Sequence, residues 1–171
     1  MALQENTFPK RKTLRLKDCD YSAPGAYFVT ICTHNRKNTL SSIVGAIHES
    51  PAGSVPDDIA SVRLSASGKI VEQVLQHLPP HLCVLLDSYV IMPNHIHFIL
   101  ELTDETAGAS PRPTVMDVVC AFKSLTTHAC NGKFPVGRLF QTSFHDHIIR
   151  GREDYDEIAK YICENPMRWY Y

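Results

Sequence analysis

The chain has 171 residues, 44% of them hydrophobic, which is enough for one compact domain with a core of its own and too short for two large ones. With 17 Lys and Arg against 18 Asp and Glu, the formal net charge is -1, so a globally basic surface is excluded and any nucleic-acid contact must come from local patches. No apolar run approaches the roughly 20 residues of a membrane span, and six scattered cysteines without a Cys-x-x-Cys pair exclude a disulfide framework or zinc knuckle. A soluble cytoplasmic protein with no membrane contact is expected.

Residues 1–20 are polar and carry Lys10, Arg11, Lys12, Arg15 and Lys17, which reads as a basic N-terminal arm. Residues 21–171 read as a single domain. Pro24-Gly25 punctuates a turn, and the aromatic and β-branched run over 26–33 predicts a central strand ending in the polar cluster His34 to Lys37. A loop or short insertion is expected over 50–61. Ile70, Val71, Val74, Leu75 and Leu78 then repeat at helical spacing until Pro79-Pro80 stops them.

A strand from Leu82 to Met92 follows, turned by Pro93-Asn94 into a second, antiparallel strand that begins at His95. Thr114 is the expected cap of a helix whose apolar stripe includes Val115, Val118, Val119, Phe122 and Leu125, with Lys123 and His128 facing outward. Residues 143–150 alternate like a strand. The last helix is read over 153–164, with Ile158, Tyr161 and Ile162 on one side and Asn165-Pro166 as its end. The order predicts an α+β domain of ferredoxin-like, palm-type architecture, with one antiparallel sheet and helices packed on it.

The most informative stretch is Pro93-Asn94-His95-Ile96-His97-Phe98-Ile99-Leu100, where two imidazoles interrupt an apolar strand. Side chains alternate across a strand, so His95 and His97 share a face about 7 Å apart and can converge on one divalent cation. The same spacing also suits two histidines hydrogen-bonded at a sheet surface. On the last helix, Tyr161 and Asn165 are four positions apart, hence one turn, or about 6 Å, along the axis. An amide oxygen suits Mg²⁺ or Mn²⁺; with two imidazoles Mn²⁺ is comfortable and Zn²⁺ is not excluded. A core tyrosine and a helix-stopping asparagine fit those two positions equally well.

The His-Ile-His block after Ser88-Tyr89-Val90-Ile91-Met92 resembles the HUH motif of single-tyrosine transposases of bacterial insertion sequences. Three further stretches resemble the branch called REP-associated tyrosine transposases: Pro24 to Arg36, Ala121-Phe122-Lys123-Ser124, and the tail containing Phe140-Gln141, His145-Asp146-His147-Ile148-Ile149-Arg150 and Tyr161 to Trp169. Two departures from the pattern are Phe140, where a Trp is usual, and a long segment over 45–59.

The resemblance implies that His95, His97 and Asn165 are metal ligands and Tyr161 a nucleophile that nicks and joins single-stranded DNA through a 5′-phosphotyrosine. The cofactor implied is Mg²⁺ or Mn²⁺, and the substrate is single-stranded DNA with hairpin or palindromic repeats. The chain would be a monomer or homodimer. Lys10, Arg11, Lys12, Arg15, Arg36, Lys37, Arg150, Arg152 and Arg168 are candidate DNA contacts. The alternatives are a non-catalytic hairpin-binding protein of the same fold, and a metal hydrolase recruiting His34, His145 or His147.

Overall fold

The computed structural model describes residues 22–44, 60–104, 112–133 and 137–170. The expected N-terminal arm and most of the expected 50–61 loop lie outside them. Four strands form the main sheet: β1 (Gly25–Cys32), β4 (Val84–Ile91), β5 (His95–Leu102) and β6 (His145–Ile148). Their order is β4-β5-β1-β6, every neighbouring pair antiparallel. With α1 (Ala66–Gln76) between β1 and β4 and α2 (Val115–Asn131) between β5 and β6, this is the expected ferredoxin-like arrangement. A separate two-stranded ribbon, β2 (Ser41–Val44) with β3 (Ser61–Leu64), was not anticipated from the sequence.

The sheet has two different faces because β1 and β5 are apolar on both. Tyr27, Val29 and Ile31 of β1 join Ile96, Phe98 and Leu100 of β5 on one side, where α1 and α2 cover them with Ile70, Val71, Leu75, Val118, Val119 and Phe122. Phe122 sits between Phe98 and Phe140, with ring centroids 6.1 and 5.7 Å away. Leu125 is 41% exposed, so it leaves the predicted stripe of α2. Thr114 does cap α2, accepting from Asp117 N at 3.3 Å while the Asp117 carboxylate takes Thr114 N at 2.8 Å.

The other face is crossed by one long helix, α3 (Arg152–Tyr170), seated through Ile162, Ile158 and Tyr155 on Val90, Met92 and Ile99. Two devices fix its start. An irregularity between Leu86 and Tyr89 of β4 presents Asp87, which accepts from the Tyr155 hydroxyl, and Asp154 accepts from Arg150 N at 2.8 Å and from His147 Nε2 at 3.0 Å. Contrary to the sequence reading, α3 does not stop at Asn165-Pro166 but continues through Pro166 to Tyr170. Proline removes one helical hydrogen bond at a cost of about 3 kcal/mol in a free helix. Here Asn165 and Pro166 are both buried, and that burial offsets the lost bond.

Candidate active site

β5 ends its hairpin with Met92 N donating to His95 O at 2.8 Å across Pro93-Asn94, so His95 is the first residue of the strand and His97 the third. Both face α3, as the alternation requires. Their ring centroids are 4.5 Å apart. Each ring has one nitrogen already engaged: His97 Nδ1 with Thr30 Oγ1 at 2.9 Å, from the directly opposite position of β1, and His95 Nδ1 with Asn94 Oδ1 at 2.8 Å. With Nδ1 engaged in each ring, Nε2 is the nitrogen left to meet a partner.

Burial lowers the pKa of both rings. His97, 5% exposed, is pushed down to about 3, first by desolvation and then by the charge of its neighbour His95. His95 is lowered by burial and by the positive charge of Arg36, against a hydrogen bond to Asn165 that acts the other way. Both imidazoles are therefore neutral at physiological pH, the form that ligates metals.

From the opposite layer, α3 supplies the remaining groups. Tyr161, 36% exposed, lies with its ring 5.3 Å from that of His97, and Asn165, 6% exposed, bonds His95. Phe28, the β1 residue beside Thr30 on this face, stacks on His97 at 5.3 Å and meets Tyr161 edge-on at 6.2 Å. Arg168, one turn past Glu164 and ion-paired with it at 2.9 Å, holds its guanidinium 5.6 Å from the Tyr161 ring centre. Two neutral imidazoles, each anchored through its far nitrogen, and a buried amide are the groups here that could hold a divalent cation. Among the described residues, no group of three or more His, Cys, Asp or Glu converges, so His34, His145 and His147 do not join the pair. His145 shares the face but stands opposite Thr30 on β6, two strands or about 10 Å from His97. His147 is taken up by Asp154.

The basic candidates separate into groups. Lys10, Arg11, Lys12 and Arg15 lie outside the described residues. Arg36 is exposed and its charge is felt at His95; it ends a 3-10 turn, His34–Arg36, in which Asn35 and Arg36 hold positive φ of 55° and 50°. Lys37 follows it and is exposed. Arg168 is at Tyr161, whereas Arg150 and Arg152 sit at the far end of α3, about 14 Å of helix away, with Arg152 paired to Asp156 at 3.0 Å. Sequence reasoning missed Thr30, Phe28 and Trp169 as members of this constellation. The parity of β1 against β5 could have found the first two, and the i, i+4, i+8 series Tyr161, Asn165, Trp169 the third.

No protein-family model matches the chain. In sequence it is 27% identical over 175 positions to an uncharacterized protein of Haemophilus influenzae, covering 93% of this chain and 89% of that one. It is also 30% identical over 83 positions to the REP-associated tyrosine transposase of Escherichia coli K12, covering 48% of this chain and 44% of that protein. A solved REP-associated tyrosine transposase bound to a REP hairpin superposes with a TM-score of 0.62 at 18% identity, covering 91% of this chain and 74% of that one. This likeness establishes a shared fold.

Proposed function

The chain is a relative of the REP-associated tyrosine transposases in fold and in sequence, and from that premise we propose that it nicks and rejoins single-stranded DNA beside a hairpin, using Tyr161 as nucleophile. The observation that carries the reading is the meeting, within one chain, of a phenol from α3 with two neutral imidazoles from β5. That combination has no structural necessity, since a buried aromatic pair would hold helix to sheet without exposing a hydroxyl. The hairpin bound in the solved relative supports the same class of substrate for this chain.

His95, His97 and Asn165 would hold a divalent cation, Mg²⁺ or Mn²⁺, which when bound polarises a phosphate oxygen. Tyr161 Oη attacks the phosphorus, the bond to the 3′-oxygen breaks, and that oxygen takes up a proton while the tyrosine hydroxyl loses its own. The products are a 5′-phosphotyrosine and a free 3′-hydroxyl. A second 3′-hydroxyl reverses the step on a new strand, so one phosphodiester replaces another and no nucleotide triphosphate is consumed. The Arg168 guanidinium, 5.6 Å from the centre of the Tyr161 ring, places a positive charge beside the attacking group. Phe28 and Thr30 keep the His97 ring in place, and Arg36 brings a positive charge to the same opening.

The test is covalent trapping. A labelled single-stranded hairpin is incubated with the protein and Mn²⁺ or Mg²⁺, then resolved under denaturing conditions beside Tyr161→Phe. A slow-migrating adduct from the wild type alone is expected. Equal binding by both proteins with an adduct from neither would establish a hairpin-binding module instead.

A further inference from the structure

We propose that Trp169 is a stacking platform for one unpaired nucleobase next to the scissile phosphate, a role that rests on the single-strand reading above. Its indole is 5.7 Å from the His95 ring, tilted 49°, yet 40% of its surface stays open. A tryptophan that served only to close the helix end would be covered, because burying its large apolar face is where its stabilisation comes from.

The position follows from how α3 is built. Tyr161, Asn165 and Trp169 are each four residues apart, so they stand within about 80° of one another on the same side of the helix. The turn that carries Trp169 exists only because the helix passes through the buried Pro166. One helix face thus offers, in order, a hydroxyl, an amide and an open indole, spaced over about 12 Å, or roughly two nucleotides of extended strand. Arg168 stands at Tyr161, and the positive charge of Arg36 acts on His95. Positive charges near such a row receive phosphates, and an exposed aromatic in it receives the base that the phosphates carry.

Trp169 is the chain's one tryptophan, so its fluorescence reports on this position alone. The wild-type protein, without divalent metal, is titrated at low salt with oligo-dT and with an abasic oligonucleotide of the same length and charge, following both tryptophan emission and anisotropy of a label on the DNA. Oligo-dT is expected to quench the emission and to bind about tenfold more tightly than the abasic strand, a ratio that collapses in Trp169→Ala and persists in Trp169→Phe. Binding of oligo-dT without quenching, or equal quenching by both strands, overturns the platform. Either result leaves the proposed chemistry standing, because adduct formation is read separately on the trapping gel. Absence of binding by either strand overturns the platform, and together with absence of an adduct it removes the nicking reading as well. A purely structural role for the indole moves the melting temperature in Trp169→Ala without making the loss depend on the presence of bases.

Discussion

The rings of His97 and Tyr161 lie 5.3 Å apart although one stands on the central strand β5 and the other on the last helix α3 of the same chain. A site assembled within one subunit needs no partner to complete it. A mixture of His97→Ala and Tyr161→Phe proteins, each expected to be inactive alone, should therefore give no adduct with the hairpin. If α3 served a second copy, the mixture would regain about a quarter to a half of the wild-type signal, since one of the two sites in a mixed pair would be intact. Recovery of that size would refute assembly in cis.

Thr30 is the second prediction. A cation on His97 Nε2 requires the proton to stay on Nδ1, where it is donated to Thr30 Oγ1 at 2.9 Å. Thr30→Val has the same shape and lacks the acceptor, so the imidazole loses both its orientation and its preferred tautomer. Loss of such an outer partner typically weakens metal binding by about 10- to 100-fold. Titration with Mn²⁺ by calorimetry should show that loss in Thr30→Val and little of it in Thr30→Ser. An unchanged dissociation constant in Thr30→Val would remove Thr30 from the site.

Much of this architecture is written in local sequence. The β-branched run of β1, the Pro93-Asn94 hairpin and the Thr114 cap each have a local physical cause, so they are legible without the fold. The pairing of His95 with His97 is likewise a matter of strand parity. What escapes is decided by contacts between distant segments. Pro166 stops a helix in isolation, but here it is buried and α3 runs one more turn, which brings Trp169 to His95. Thr30 becomes a partner of His97 only through the register of β1 against β5, which is set 67 residues away in the chain. Lys123 was read as facing outward because it lies off the apolar stripe of α2; its stem instead bends to the loop before β6.

The cap of α2 makes a prediction about pH. The Asp117 carboxylate accepts from the backbone N–H of Thr114 and then from its hydroxyl, and both hold its pKa below the ordinary value. A carboxyl depressed by folding stabilises the protein above its unfolded pKa of about 4, and that contribution is lost as pH falls through the lower folded value. Thr114→Ala should cost about 1 kcal/mol at neutral pH. By urea denaturation, the gap between variant and wild type should narrow as pH falls through the lowered folded value, where the carboxyl becomes protonated in both. A gap of equal size above and below that value would show that the carboxylate has no part in the cap.

Lys123 carries the last prediction. Its Nζ donates to the carbonyls of Gln141 at 2.9 Å, Thr142 at 3.2 Å and Ser143 at 3.0 Å, which uses all three ammonium hydrogens on three consecutive residues. It also lies 5.5 Å from the centre of the Phe144 ring, and burial lowers its pKa. The tied loop leads into β6 and, through Gln141 N to Cys32 O at 2.9 Å, is fixed to the end of β1 beside the site. Lys123→Met keeps the length of the stem and leaves three carbonyls without their donor, at an expected cost of about 1–3 kcal/mol. Lys123→Arg should not restore it, because a planar guanidinium fork cannot direct three donors from one atom. The loss should be local as well as global: amide exchange in His145–Ile148 should quicken more than in β5, since β6 is the edge strand that this loop delivers. An unchanged urea midpoint together with unchanged exchange in β6 would show that the three carbonyls are equally well served by water.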